Sequence, residues 1–176
     1  MKKDIQGRIK KIKIVVMDVD GVMTDGKIIL GSGNTELKFF DARDGVGIKY
    51  LQRVGIKVAI ITGRKSEAVE MRAKELDIEL VYQNAKKKID AYNDLKEKLG
   101  YKGSDIAYIG DDLPDIPIMR RVGFAIAVAN STKETKKVAH YITKNNGGYG
   151  AIREVAELIM KAQNKWKKIM ERYFQD

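Results

Sequence analysis

The sequence predicts an α/β fold: a parallel β-sheet with helices on both faces and one β-hairpin projecting beside it. Three observations predict it. Short apolar runs alternate with amphipathic segments along nearly the whole chain, as in sheets covered by helices. Each apolar run is followed at once by polar or glycine residues. One Gly-Ser-Gly-Asn turn, residues 31–34, separates two strand-like runs rather than a strand and a helix.

In chain order, Ile12 to Met17 is apolar enough for a central strand buried on both faces. Between Asp25 and Phe40, KIILGSGNTELKFF gives the hairpin, about residues 25–40. A short helix and a second strand, Lys57 to Ile61, follow. Ser66 is placed to cap a helix with Val69, Ala73 and Leu76 inward. A further helix carries Ile89, Tyr92, Leu95 and Leu99 and stops at Gly100. Ile106 to Ile109 and Phe124 to Val128 are the third and fourth strands, and Ser131 with Glu134 suggests a capping box. His140, in His-Tyr-Ile-Thr, falls on a short edge strand and is assigned a structural role despite the versatility of imidazole. Gly147, Gly148 and Gly150 precede a C-terminal helix and tail, about 150–176, with Ile152, Val155, Ile159, Trp166 and Tyr173 near one stripe. Trp166 and Tyr173 are expected to pack rather than stack on bases.

The 176 residues, 44% hydrophobic, suffice for one domain spanning 1–176. No apolar run approaches the roughly 18 residues of a membrane span, and the basic start MKKDIQGRIKK lacks a signal-length apolar stretch. A soluble, cytoplasmic protein is expected. Absence of cysteine excludes disulfides and thiolate metal sites, leaving oxygen ligands or His140. The net charge of +10 favours an anionic partner without choosing among metabolite, nucleic acid and membrane surface, and most lysines belong to solvated faces. The charged fraction of 33% is thermophile-like.

Ligands of open α/β sheets gather where strands end, and the acidic residues of this chain gather there too. Asp18-Val19-Asp20-Gly21-Val22-Met23-Thr24-Asp25-Gly26 follows the first strand, Thr62-Gly63-Arg64 the second and Gly110-Asp111-Asp112-Leu113-Pro114-Asp115 the third. A lysine of the segment 86–88 is the fourth element. So many carboxylates repel one another and lose hydration unless a hard divalent cation joins them, and magnesium beside a phosphate suits an all-oxygen set. Asp112 and Asp25 are assigned to caps or turns, and Asp115 partly so.

These four elements, in this order, resemble the motifs of the haloacid dehalogenase-like phosphohydrolases, over most of the chain. The resemblance implies a Rossmann-like sheet, with Asp18 as nucleophile and Asp20 as acid, then base. It implies Mg2+ held by the Asp18 carboxylate, the Asp20 backbone carbonyl and Asp111, with Asp112 and Asp115 as outer supports. Thr62, Gly63 and one lysine would surround the phosphate. Alignment of Gln83-Asn84-Ala85-Lys86-Lys87-Lys88 with the family's Gln-Gly-x-x-x-Lys selects Lys88, with Asn84 departing from the usual glycine. The chain has little room for the cap domain many members carry, so a capless, oligomeric form is expected.

The hairpin, the segment Phe40 to Ile48 and Gly147-Gly148-Tyr149-Gly150-Ala151-Ile152-Arg153-Glu154 resemble the capless 3-deoxy-D-manno-octulosonate 8-phosphate phosphatases of lipopolysaccharide sugar synthesis. That resemblance implies a homotetramer whose hairpins help close neighbouring sites, and Arg43 on the sugar-acid carboxylate. Arg64 either shares that task or structures its loop; Arg153 is assigned to a helix end or an interface. A sialic-acid-type 9-phosphate or another sugar phosphate is the alternative substrate. Of different class are a basic nucleic-acid-binding protein, which lacks an aromatic-studded basic motif, and a phosphosugar-binding regulator, against which the Asp18 and Asp20 pair speaks.

Overall fold

The computed structural model describes residues 3–174. Six strands form its main sheet: β1 Ile14–Met17, β4 Lys57–Ile61, β5 Leu80–Tyr82, β6 Ile106–Gly110, β7 Phe124–Ala127 and β8 Tyr141–Ile142. Their order is β5-β4-β1-β6-β7-β8, every neighbouring pair parallel. Two further strands, β2 Ile29–Leu30 and β3 Glu36–Leu37, pair antiparallel as the expected hairpin around a turn in which Gly33 has φ 66°.

β1 is the spine because its side chains are buried alternately on the two faces. Val15 and Met17 enter one core with α1 Lys3–Ile9, α2 Ala42–Arg53, α3 Glu67–Glu75, α7 Ala151–Ala162 and α8 Trp166–Glu171. Ile14 and Val16 enter the other with α4 Lys88–Leu99, α5 Ile116–Met119 and α6 Lys133–Val138. Each such fully buried aliphatic side chain contributes about 1.5–3 kcal/mol. Met17 pairs with Ile60 on one side and Ile109 on the other, so Asp18, Thr62 and Asp111 leave the sheet along one edge.

Several expectations shift. β5 is an extra edge strand, only three residues long and half-buried, too short to stand out as an apolar run. The short helix is the 12-residue α2, disguised by Gly45 and Gly47. These glycines permit close packing: a Cβ at Gly47 would lie 3.0 Å from Arg153 Cα, and one at Gly45 2.4 Å from an Arg72 nitrogen. In place of the expected Ser131–Glu134 capping box, Thr132 caps α6 one residue later by accepting from Thr135 N at 3.4 Å, without a reciprocal bond. Ser66 stands at the cap of α3 without a side-chain cap bond; Gln83 Oε1 instead accepts from its backbone N–H at 2.8 Å. The C-terminal helix is two helices, broken where Asn164 turns left-handed with φ 58°. Of the expected tail, residues 175–176 lie outside the described residues, as does Lys2 of the basic start. Among the described residues no helix is long and apolar enough to cross a membrane.

Candidate active site

Asp18 is the first residue beyond β1, 6% exposed, with its backbone N–H donating to Ile109 O at 3.1 Å. Lys88, the first residue of α4, reaches it from across the sheet edge, Nζ to Asp18 Oδ2 at 2.8 Å. The same ammonium donates to Asp115 Oδ1 at 2.7 Å. Lys88 is buried whereas Lys86 and Lys87 are exposed, which singles it out of the triplet. Asp115 is fully buried and saturated: Oδ1 also accepts from the Tyr108 hydroxyl at 2.7 Å, and Oδ2 from the N–H groups of Asp111 (2.9 Å) and Asp112 (3.2 Å). Asp112 caps the following turn by accepting from Leu113 N at 2.8 Å.

Carboxylate oxygens of Asp18, Asp111 and Asp115 lie within 4.8 Å of one another. Burial, then repulsion from Asp115, raises Asp18 to about 6 despite Lys88. Burial and the charges of Asp115 and Asp18 raise Asp111 to about 7. Burial alone would lower Lys88, but the two aspartates outweigh it and hold it above its usual value. Asp18 Oδ1 is buried without a hydrogen-bond partner. Crowded carboxylates with an unclaimed, all-oxygen donor set fit a hard divalent cation. Because both oxygens of Asp115 are already claimed, Asp18 and Asp111 are the side chains free to ligate, and Asp115 braces them.

Glycines draw the loops together. Gly21 has φ 91°, and a Cβ there would lie 2.2 Å from Asp111 Oδ2. Thr24 pins the loop, its hydroxyl accepting from the N–H of Gly26 at 3.2 Å and donating to Val19 O at 3.4 Å. Asp25 makes the turn, accepting from Lys27 N at 3.1 Å. The segment 147–154 packs against this loop: a Cβ at Gly148 would stand 2.5 Å from Asp25 N, and Gly150, with φ 93°, starts α7. Asp44 of α2 accepts the N–H groups of Gly150 (3.2 Å) and Arg153 (2.8 Å). Glu154 accepts from Tyr141, Lys144 and Asn145. The two motif segments are thus the brackets that seat the acidic loop.

The side chain of Asp20 lies apart from the three clustered carboxylates. It pairs with Lys38, just past β3, and stands 3.7 Å from Arg64 Nε. Glu36 completes a ring, accepting from Arg64 at 2.6 Å and lying 3.6 Å from Lys38 Nζ. Arg64 therefore structures its loop in this conformation. Thr62 is buried at the end of β4, its carbonyl accepting from Ala85 N at 3.0 Å, and open space lies above Gly63. Asn84 adopts the left-handed conformation, φ 54°, that a glycine would take, so the departure from the motif leaves the turn intact.

Arg43 is the outlier of the predicted site. Its side chain is 70% exposed and forks onto Asp41, at 2.8 and 3.3 Å, on the first turn of α2. Arg153 stacks on Tyr50 and Trp166 while donating to Glu157 at 2.8 Å, a structural role. Trp166 and Tyr173 pack on Tyr50, and His140 accepts from Ala125 N at 2.9 Å beside Phe124. Sequence reasoning missed Lys38, Glu36 and Tyr108. Lys38 is one of 34 basic residues without a distinguishing pattern, and Tyr108 reads as an ordinary strand residue.

The model of the haloacid dehalogenase-like hydrolase family matches residues 78–155. The chain is 44% identical to the 3-deoxy-D-manno-octulosonate 8-phosphate phosphatase of Escherichia coli (strain K12) over 162 residues, 92% of this chain and 86% of that one. It resembles the crystal structure of the Moraxella catarrhalis phosphatase of the same name, in complex with magnesium ion, phosphate ion and KDO, with a TM-score of 0.96 and 46% identity over 98% and 99% of the two chains. The cobalt-bound Haemophilus influenzae counterpart is similar at a TM-score of 0.87 and 37% identity, over 90% of this chain and 92% of that one.

Proposed function

The chain belongs to the haloacid dehalogenase-like hydrolases, in the branch of the 3-deoxy-D-manno-octulosonate 8-phosphate phosphatases, and from that membership we propose that it hydrolyses this phosphate through an aspartyl-phosphate on Asp18. It is a phosphatase of the capless α/β type. The observation that carries the mechanism is the buried Asp18 carboxylate, fixed on one oxygen by Lys88 and unclaimed on the other.

Asp18 attacks phosphorus in line, forming an acyl–phosphate bond as the bond to the sugar oxygen breaks. Asp20 gives its proton to that oxygen, then takes one from the water that attacks the same phosphorus and frees Asp18. Thr62, the Gly63 backbone N–H and the Lys88 ammonium oppose the charge spread over the phosphoryl oxygens. Asp115, held by Tyr108 and two backbone N–H groups, keeps Lys88 in place. Magnesium, the cofactor, bound by Asp18, Asp111 and the Asp20 backbone carbonyl, supplies the positive charge that lets the phosphate dianion approach these carboxylates.

The substrate carboxylate is assigned to Arg43, whose exposed guanidinium suits a planar anion, while Arg64 holds its loop through Glu36. For the proposed homotetramer, an interface at the hairpin is supported by apolar residues exposed on and beside it: Leu30 (74%), Phe39 (68%) and Leu37 (51%). The setting is cytoplasmic lipopolysaccharide sugar synthesis. With magnesium, the purified protein should release phosphate from 3-deoxy-D-manno-octulosonate 8-phosphate with a higher kcat/KM than from a nine-carbon sialic-acid-type 9-phosphate. The reverse order would overturn the substrate and leave the chemistry standing.

A further inference from the structure

Lys38 is a lysine whose side chain is 1% exposed although it sits beside a hairpin of only two-residue strands. An ammonium so removed from water costs several kcal/mol unless it is paired. Its partners are Asp20 and, 3.6 Å away, Glu36. Asp20 does not need the pair for its own burial, since its side chain keeps 19% exposure. Arg64 closes the ring from the loop after β4, 2.6 Å from Glu36 and 3.7 Å from Asp20 Oδ2. Lys38 holds Oδ1 and Arg64 stands nearer Oδ2, so the carboxyl is gripped from two sides by groups belonging to two different loops.

Resting on the reading of Asp20 as the proton donor, we infer that Lys38 is a positioning residue for the leaving-group side of the reaction. Its ammonium fixes the rotamer of Asp20, so that the carboxyl meets the sugar oxygen as the phosphorus–oxygen bond breaks. The proton that Asp20 took from water in the preceding turnover passes from its Oδ2 to that oxygen, while Oδ1 stays on Lys38, which itself transfers none. The hairpin thereby contributes to bond cleavage from within its own subunit. A lysine that only anchored the hairpin would affect all substrates alike, whereas one that aims Asp20 matters in proportion to the need for protonation.

The test compares kcat/KM for 3-deoxy-D-manno-octulosonate 8-phosphate, whose alkoxide must be protonated as it departs, with that for p-nitrophenyl phosphate, whose phenolate leaves unaided. Lys38→Met should lower the first by about tenfold to a hundredfold and the second by less than about threefold, and Lys38→Arg should recover part of the loss. Glu36→Gln, which loosens the ring but keeps Lys38 beside Asp20, should lower both together. Equal losses on both substrates for Lys38→Met, or no loss, would overturn the inference. Asp20→Asn is the control: if it too fails to discriminate between the substrates, the proton-donor reading falls. If Asp20→Asn discriminates and Lys38→Met does not, only the role of Lys38 falls.

Discussion

Gly147 lies against the carbonyl of Gly21 so closely that a Cβ at 147 would stand 1.7 Å from that oxygen. Gly21 is in turn the residue whose bare Cα lets Asp111 approach, so a glycine late in the chain sets where a cation ligand stands. Gly147→Ala should therefore cost about 1–3 kcal/mol of stability as the acidic loop is pushed aside, with phosphatase activity falling more than stability alone explains. Denaturant unfolding and initial rates on one preparation check this. An alanine variant of unchanged stability and rate would mean that the loop yields freely.

Asp18→Asn removes the nucleophile and one of the crowded charges together. Turnover should fall by at least about a thousandfold, while the melting temperature of the metal-free protein stays within a few degrees of the parent, since relief of repulsion offsets the lost pair with Lys88. Calorimetry beside phosphate release decides it, and residual turnover within tenfold of the parent would displace Asp18 from its role.

Tyr108→Phe deletes a donor to the buried Asp115 and nothing else of size. A stability loss of about 1.5–3 kcal/mol is expected, as for a hydrogen bond to a charged group, with a smaller fall in kcat as the grip on Lys88 loosens. Urea midpoints measure the first and steady-state rates the second. A variant as stable as the parent would mean that the carboxylate does not rely on this hydroxyl.

Asp18 and Asp111 titrate near 6 and 7 in the folded chain, against 3.8 for an ordinary aspartate. Between those values the folded state holds more protons than the unfolded one, so these groups make metal-free stability fall as pH rises from about 4.5 to about 7.5. Magnesium, binding the ionised forms, should raise stability most at the upper end and flatten the slope. Melting curves of chelator-treated protein across that range, with and without magnesium, test it. Metal-free stability that climbs with pH and ignores magnesium would contradict it.

The sheet and the acidic cluster were legible because each acidic motif follows an apolar run that could only be a buried strand. Asp18 after Met17 and Asp111 after Gly110 need no more than register to meet. Lys88 was legible only through the resemblance of residues 83–88 to the family's Gln-Gly-x-x-x-Lys segment, and its burial beside two exposed neighbours shows why only one lysine of the three can serve. Lys38 was not legible, because a buried ammonium reads like any other lysine until the hairpin brings it to Asp20. The break at Asn164 escaped because apolar periodicity runs on through a single left-handed residue. Asp44 looked like part of a recognition segment, yet its carboxylate caps a helix that begins more than a hundred residues later.

One of the two central strands of the sheet, β1, comes early in the chain but finds both of its neighbours, β4 and β6, much later. A polypeptide emerging from the ribosome thus carries its reactive aspartate long before there is anything to hold it, and the last bracket arrives only with Gly147 and Gly148. Full competence for catalysis must therefore wait for the last sixth of the chain. A fragment stopped short of Gly147 would have every acidic side chain of the centre but not the bracket that seats the Gly21 loop beside Asp111.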